Sequence, residues 1–393
     1  MKKTLLAAAL LTGFAGAASA QSSVTLYGVL DASVRYQNWN LSSGGLASAD
    51  VSTSSIAVAS GALSTSRFGI RGVEDLGSGN QVVWNLESQV NVNDGSTNSF
   101  GLWSRTSIVG VRNSAWGQLD IGRQLGTAFK FAAGPVDGAF NTNVPIINIS
   151  AVMGILAVRY NNLLLYQSPS LSGFKVGLGY SFNTGLTSNR QLATGGATTD
   201  TATGSAFQTG NNMRAATGAL SYTNGPIYLA GTYDRITPAD NTVSAANGIS
   251  VSSWVLAATY DAKVVKVGAA YGQTTNGFVN GGSMSTVSSS IANAYSAGGV
   301  VFADGAKINA YNINFLIPVG ASGRVMAAYQ AATNAGVLSD LGYAATQNTY
   351  GLGYQYDFSK RTTGYAIYTY VNNYLNVSGL SGNAAYVGMR HSF

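Results

Sequence analysis

Few residues in this sequence have side chains that catalyse reactions or bind metal ions. Its 393 residues include no cysteine and one histidine, His391, and 9% of them are charged, against about 25% in ordinary soluble domains. The absence of cysteine excludes disulfides, thiolate metal sites and cysteine nucleophiles, and a single histidine excludes a multi-histidine metal site. His391 shares its parity with Met389 and Phe393 on an apolar face, where a Ser–His or Asp–His catalytic group is implausible. We therefore expect no cofactor, no metal site and no enzyme.

Arginines lie on the polar side of segments in which apolar and polar residues alternate. In 24–36 the apolar set is Val24, Leu26, Leu30, Ala32 and Val34, and the polar set is Thr25, Tyr27, Asp31, Ser33 and Arg35. Arg67, Arg105, Arg159 and Glu87 occupy the polar side of other segments. Burying such charges unpaired in an apolar core is very costly. A water-filled interior removes that cost, and the chemistry that these residues support is then electrostatic.

In the segments that carry these charges, apolar and polar residues alternate with a period of two, which is the signature of half-exposed β-strands. About sixteen such segments follow one another: 24–36, 65–75, 81–92, 102–112, 118–123, 158–168, 173–183, 214–223, 226–235, 252–260, 263–272, 306–317, 323–331, 347–357, 362–372 and 384–393. Short turns such as Asn224-Gly225, a strong hairpin signal, alternate with long polar loops. This layout predicts an antiparallel meander whose two ends face different compartments.

A soluble all-β protein is the alternative, and the sheet edges argue against it. A meander of this size must close or be covered, because open edges pair with other chains. If the charged face lines a wet lumen, the apolar face must contact lipid, where closed barrels satisfy every backbone group. Strands of roughly ten residues are long enough to cross a membrane when tilted. The sequence therefore predicts a transmembrane β-barrel.

The N-terminus has the pattern of an export signal. Lys2 and Lys3 precede an apolar stretch from Leu5 to about Ala18, and Ala18-Ser19-Ala20 has the small-x-small form of a cleavage site. We expect residues 1–20 to be a cleaved signal peptide and 21–393 to form the barrel. An anchor helix is the weaker alternative, since the apolar stretch is shorter than the roughly 18 residues that a span requires.

Five motifs resemble those of the Gram-negative general porins, most closely the branch found in β-proteobacteria. They are Ser23–Asp31, Ser66–Gly77, Gly117–Gln124, Arg159–Pro169 and Val387–Phe393, in matching order along the mature chain. The resemblance implies a 16-stranded antiparallel barrel in the outer membrane that assembles as a homotrimer. It also implies short periplasmic turns, long extracellular loops, passive diffusion of small hydrophilic solutes and ions, and a third long loop folded into the lumen.

The resemblance also indicates which residues line the narrowest part of the lumen. Arg67, Arg105 and Arg159 match the basic cluster of the barrel wall, opposite which the family places acids on the third loop. Here that loop, 124–157, offers only Asp137, adds Lys130 and is otherwise largely apolar, so it either packs against the wall or makes the constriction less polar. This balance predicts a preference for anions.

The remaining charges leave alternatives open. Arg35 and Arg71 share the inward parity of their strands, so they line the lumen away from the constriction, or Arg71 pairs with a neighbouring acid. Any of these arginines could instead be a structural ion-pair partner of a wall carboxylate such as Glu87 or Asp31.

Two other functions compete with general diffusion. A substrate-specific channel for anions or small organic solutes is the nearer one, and a structural or adhesive barrel with exposed loops is the other. Nucleic acid is not an expected partner, because the basic residues are spread over separate strands. The terminal Phe393 is expected to close the barrel, and the resemblance implies that it is the signal read by the outer-membrane assembly machinery.

Overall fold

The protein forms a β-barrel, seen here in a computed structural model that describes residues 23–42, 50–97, 101–136, 158–193, 196–198, 212–240, 248–279, 299–340 and 342–393. Sixteen barrel strands lie within these residues. They are β1 (Ser23–Leu41), β2 in two segments (Val51–Ser60 and Arg67–Gly77), β3 (Asn80–Gln89), β4 (Thr106–Asn113), β5 (Gly117–Leu125), β6 (Arg159–Gln167), β7 (Phe174–Ser181), β8 (Arg214–Asn224), β9 (Ile227–Thr237), β10 (Val251–Asp261), β11 (Lys266–Val279), β12 (Gly299–Val319), β13 (Gly323–Ala335), β14 (Gln347–Asp357), β15 (Thr362–Asn372) and β16 (Leu380–Ser392). The predicted signal segment, 1–20, lies outside the described residues.

Each strand pairs antiparallel with the next, and the last pairs with the first. The register between β1 and β16 runs from Val29 opposite Ser392 to Leu41 opposite Leu380. Beyond it, the Gly28 N–H donates to the Phe393 carbonyl at 3.0 Å, and the Phe393 N–H donates back at 3.1 Å. The barrel is therefore closed, which leaves no strand edge facing lipid. The prediction of a 16-stranded antiparallel barrel is confirmed.

Alternation along the strands turns the apolar side chains outward. In β1, Val24, Leu26 and Val34 are 68, 64 and 57% exposed, whereas the intervening Asp31 is fully buried. A soluble protein would place these faces the other way round. None of the helices in the described part of the chain is long and apolar enough to cross a membrane.

The sequence predicted a long polar loop, 38–64, between the segments 24–36 and 65–75, and this prediction was wrong in part. Val51–Ser60 is a strand that pairs with β1 from Leu41 opposite Val51 to Ala32 opposite Ser60. Its serines and threonines hide an alternation in which Ile56 and Val58 face outward. Residues 61–66 form a bend, and β2 resumes at Arg67.

The predicted loop before β12 also contains strand. Gly299–Ala303 pairs in parallel with a short strand of the loop that follows β7, Thr187–Ala193, which itself forms a hairpin with Gly196–Thr198. The extended conformation of Gly299–Ala303 depends on pairing with a distant loop, so the local sequence pattern does not predict it.

In the described part of the chain, the helical turns lie in connections between strands. The loop after β5 contains a π-helical segment, Ala128–Ala133, followed by a short α-helical turn, Gly134–Val136. Val337–Asp340 is an α-helical turn between β13 and β14, and Tyr374–Asn376 is a 3₁₀ turn between β15 and β16. The first of these connections lies inside the barrel and shapes the site described next.

Candidate functional site

A charged cluster occupies the inner face of the barrel between β1 and β6, with Glu87 at its centre. The Glu87 carboxylate lies 2.7 Å from Arg105 Nε and 3.5 Å from Arg67 Nε. The Tyr27 hydroxyl from β1 lies 3.0 Å from Glu87 Oε2 and 2.9 Å from Asn85 Oδ1. The Glu87 carboxylate thus contacts two guanidinium groups. Both Arg67 and Arg105 form the ion pair with a wall carboxylate that the sequence left open as the alternative to a free lumen charge.

Main-chain carbonyl groups orient the arginines of this cluster. Arg159 Nε donates to the Arg105 carbonyl at 2.8 Å. Arg123 Nε donates to the Ser104 carbonyl at 2.6 Å, and its Nη1 donates to Asn161 Oδ1. Carbonyl groups fix the direction of a guanidinium without neutralising its charge. Four guanidinium groups therefore face one carboxylate among the described residues of the cluster, and the local charge is positive.

Arg123 is the member of this cluster that sequence reasoning missed. Strict alternation with the outward-facing Ile121, which is 55% exposed, places Arg123 on the lipid face. The register of β5 against β6 shifts between Gly122 and Gln124, and Gly122 has a φ of +133°, which favours glycine. This bulge breaks the alternation. A glycine directly before an arginine in a strand is the signal that could have indicated it.

The other predicted wall residues lie apart from Glu87. Arg71 sits 5.1 Å from the centroid of the Tyr27 ring, a cation–π distance. Arg35 lies opposite Tyr386 across the β1–β16 pair. The Asp31 carboxylate accepts hydrogen bonds from the Tyr365 hydroxyl and from the Ser64 N–H. Of the two wall carboxylates considered as ion-pair partners, Glu87 contacts arginines. Asp31 instead accepts hydrogen bonds from a tyrosine hydroxyl and a main-chain amide.

The third loop lies against the opposite wall as far as it is described, to Val136. Thr127 donates its N–H to Thr217 Oγ1 at 3.0 Å, and the Tyr228 hydroxyl donates to the Phe131 carbonyl at 2.6 Å. Lys130 extends to Gln124 Oε1 at 2.7 Å. Asp137 and the remaining residues to 157 lie outside the described part, so the predicted acid of this loop has no described position.

Small residues on the inner wall make room for this loop. The loop side chains Ala128, Phe131, Ala132, Ala133 and Val136 form one buried cluster with inward residues of β8 to β13: Ala219, Ala230, Val255, Ala257, Ala270, Ala310 and Ala332. A Cβ atom built on Gly177 would lie 2.6 Å from the Phe131 ring. The apolar character of the loop sequence is thus explained by packing, and the lumen has an apolar side and an arginine side.

His391 lies on the outer face, away from both sides of the lumen. It is exposed, and its Nδ1 lies 2.9 Å from Thr362 Oγ1. The described residues contain no group of three or more His, Asp or Glu side chains that could hold a metal ion.

Known proteins with the same features are outer-membrane channels. The family model described as Gram-negative porin matches residues 7–374. An outer membrane porin protein of Bordetella pertussis is 38% identical over 402 residues, covering all of both chains. The chain belongs to the Gram-negative porin family. A second relative of this porin, outer membrane porin protein 32 of Delftia acidovorans, is 29% identical and covers 99% of this chain and 95% of its own.

Solved structures agree with the barrel of this porin. The anion-selective porin from Comamonas acidovorans superposes with a TM-score of 0.65 at 24% identity, covering 95% of this chain and all of its own. An OmpF of Salmonella typhi superposes with a TM-score of 0.62 at 15% identity, covering 94% and 97%. Together with the outward apolar belt, family membership places this porin in the outer membrane, as the sequence predicted.

Proposed function

We propose that this porin is a water-filled, anion-preferring channel through which small hydrophilic solutes and ions diffuse passively. The observation that carries the proposal is the cluster in which, among the described residues, Arg67, Arg105, Arg123 and Arg159 face one carboxylate, that of Glu87. Fixed positive charge lining a narrow, low-dielectric passage attracts anions and repels cations. The similarity to a structure described as an anion-selective porin supports the same proposal.

We propose that this cluster acts on permeating ions at a narrow part of the lumen. The described part of the third loop, to Val136, is held against the alanine-rich wall, and solutes are proposed to pass between it and the arginine cluster. We assign the constriction to Arg67, Arg105, Arg123, Arg159 and Glu87. Arg35, Arg71 and Lys130 are assigned to other parts of the lumen, and Asp31 is assigned to its inner wall, where the side chain is fully buried. Asp137 is proposed to face the cluster from the loop.

Liposome swelling tests this function with solutes of increasing size. A general channel gives rates that fall smoothly across a series of neutral sugars, and the arginine cluster makes a sugar acid permeate faster than the neutral sugar of equal carbon number. An amino sugar of the same size should permeate more slowly. Saturation by one anionic solute at low concentration would support the substrate-specific alternative instead, and an amino sugar that outpaces the sugar acid would contradict the proposal.

Three further assignments extend the proposal. The outer face of the barrel contacts membrane lipid, since its large apolar side chains are exposed. A homotrimer with one lumen per subunit is proposed from family membership, and an outer membrane protein of Vibrio cholerae with this fold has been solved in a trimer form. We assign no catalytic activity, because His391 contacts Thr362 on the outer face and lies outside the lumen.

A further inference from the structure

The bend Gly61–Ser66 interrupts β2 and turns into the barrel. Gly61 has a φ of +77°, a conformation that glycine adopts without strain. Beyond it, Ala62 and Leu63 are 4 and 3% exposed, and they belong to the same buried cluster as Tyr365, Ile367 and Tyr386 of β15 and β16. Those three side chains have the inward parity of their strands. The bend therefore covers part of the inner wall and reduces the width of the lumen.

Asp31 on β1 fastens this bend at several points. Its carboxylate accepts the Ser64 N–H at 2.6 Å and the Tyr365 hydroxyl, while its carbonyl accepts the Gly61 N–H at 2.9 Å. The Ser66 hydroxyl lies 3.0 Å from both the main-chain nitrogen and the carbonyl oxygen of Asp31. A fully buried carboxylate with this many donors fixes the backbone around it.

The same bend holds one arginine of the constriction. Arg67 Nη1 donates to the Ser64 hydroxyl at 3.1 Å and to the Thr65 carbonyl at 3.0 Å, while its Nε lies 3.5 Å from Glu87. A chain of contacts thus runs from Asp31 through the bend to Arg67 and the charged cluster. Any displacement of the bend moves the partners that orient this guanidinium.

We propose that Asp31 is a positioning residue for selectivity: it holds the Gly61–Ser66 bend as a second narrow element of the lumen and thereby places Arg67 against Glu87. This inference rests on the proposed anion preference. This inference and a simple count of charges predict opposite effects of removing the Asp31 carboxylate. A carboxylate in the lumen that acted only through its charge would oppose anions, so its removal would raise the anion preference. A carboxylate that positions the bend has the opposite effect when it is removed.

Two substitutions release the bend in different ways. Asp31→Asn removes the carboxylate charge: its amide oxygen can still accept from the Ser64 N–H, but its N–H₂ must donate to the Tyr365 hydroxyl, so two charge-assisted hydrogen bonds become weaker neutral ones. Tyr365→Phe removes one hydrogen bond to the carboxylate and leaves the formal charge of the lumen unchanged. The matched control is Asp120→Asn on β5, because Asp120 is also buried at 1% exposure and its carboxylate accepts from Gln118 Nε2, away from the bend.

The experiment measures zero-current potential and single-channel conductance in planar bilayers for the wild type and the three variants. We expect Asp31→Asn and Tyr365→Phe to raise conductance about 1.5-fold and to lower the anion-over-cation permeability ratio about twofold, and Asp120→Asn to raise that ratio. Heat-modifiable mobility on gels confirms that each variant is folded. If Asp31→Asn does not assemble, Tyr365→Phe decides the question alone.

The outcomes separate this inference from the proposed function. A cation-selective wild type would overturn the proposed function, whatever the variants do. An anion-selective wild type, with Asp31→Asn raising the anion preference as Asp120→Asn does or with Tyr365→Phe indistinguishable from the wild type, would overturn the role assigned to Asp31 alone.

Discussion

At the residue scale, we propose that ion selectivity depends on how incompletely Glu87 neutralises the arginines around it. Its carboxylate contacts Arg105 and Arg67, while the carbonyl groups of Arg105 and Ser104 orient Arg159 and Arg123. Sequence parity and motif matching predicted that Arg67, Arg105 and Arg159 lie in the lumen. Neither method could predict that Arg123 lies in the lumen, because a bulge changes which face of the strand it occupies. Neither could predict the partner of Asp31, because Tyr365 lies 334 residues away along the chain.

Replacing Glu87 by glutamine should strengthen the anion preference. The substitution removes the negative charge between Arg67 and Arg105 and keeps the side-chain volume, so we expect the anion-over-cation permeability ratio to rise about twofold. Asp94→Asn makes the same change of charge on an exposed loop outside the cluster and should leave the ratio unchanged. The measurement is the zero-current potential in a salt gradient, and a lower ratio for Glu87→Gln would contradict the assignment.

At the element scale, the lumen is shaped by the third loop and the β2 bend, two connections that pack on inner walls. The apolar composition of the third loop predicted that it would either pack on the wall or line the constriction, and its described part packs on the wall. The strand Val51–Ser60 was missed because serine and threonine dilute its alternation, and its pairing with β1 determines its conformation. Local patterns predict strands well where one face is continuously apolar and poorly where long-range pairing decides.

Gly177 should be required for seating the third loop. A Cβ at this position lies 2.6 Å from the Phe131 ring and 3.2 Å from Thr127, so we expect the overpacking in Gly177→Ala to push the loop toward the lumen. We expect single-channel conductance to fall by about a quarter. The control is Gly218→Ala, whose new Cβ meets no atom closer than 3.7 Å. Equal conductance for the two variants would exclude this seating role.

At the scale of the whole molecule, one closed sheet separates lipid from water. Apolar residues cover the outer face, charged residues and packed loops occupy the interior, and the first and last strands meet at a seam. The number and order of the strands could be predicted from the sequence, because sixteen alternating segments repeat with turn signals between them. The arrangement of the interior could not be predicted from the sequence, because contacts between segments far apart in the chain determine it.

Phe393 should matter for assembly more than for conduction. Its main chain exchanges two hydrogen bonds with Gly28 at the seam, and its ring extends along the outer face. Deleting it should lower the yield of folded, heat-modifiable protein in the outer membrane several-fold, since the seam loses its last pair. Phe393→Tyr keeps the ring and the backbone pair and should assemble normally. Unchanged yield after the deletion would show that the terminal residue is dispensable.

We propose that the cluster of Arg67, Arg105, Arg123 and Arg159 gives this porin its ion preference. The most direct test is the zero-current potential across a bilayer holding the wild-type channel in a tenfold potassium chloride gradient, compared with the double variant Arg105→Gln/Arg159→Gln. The wild type should develop a potential of the sign given by chloride permeation, and the double variant should reduce the chloride-over-potassium permeability ratio at least about threefold. A potential of the opposite sign in the wild type, or an unchanged ratio in the double variant, would contradict the claim.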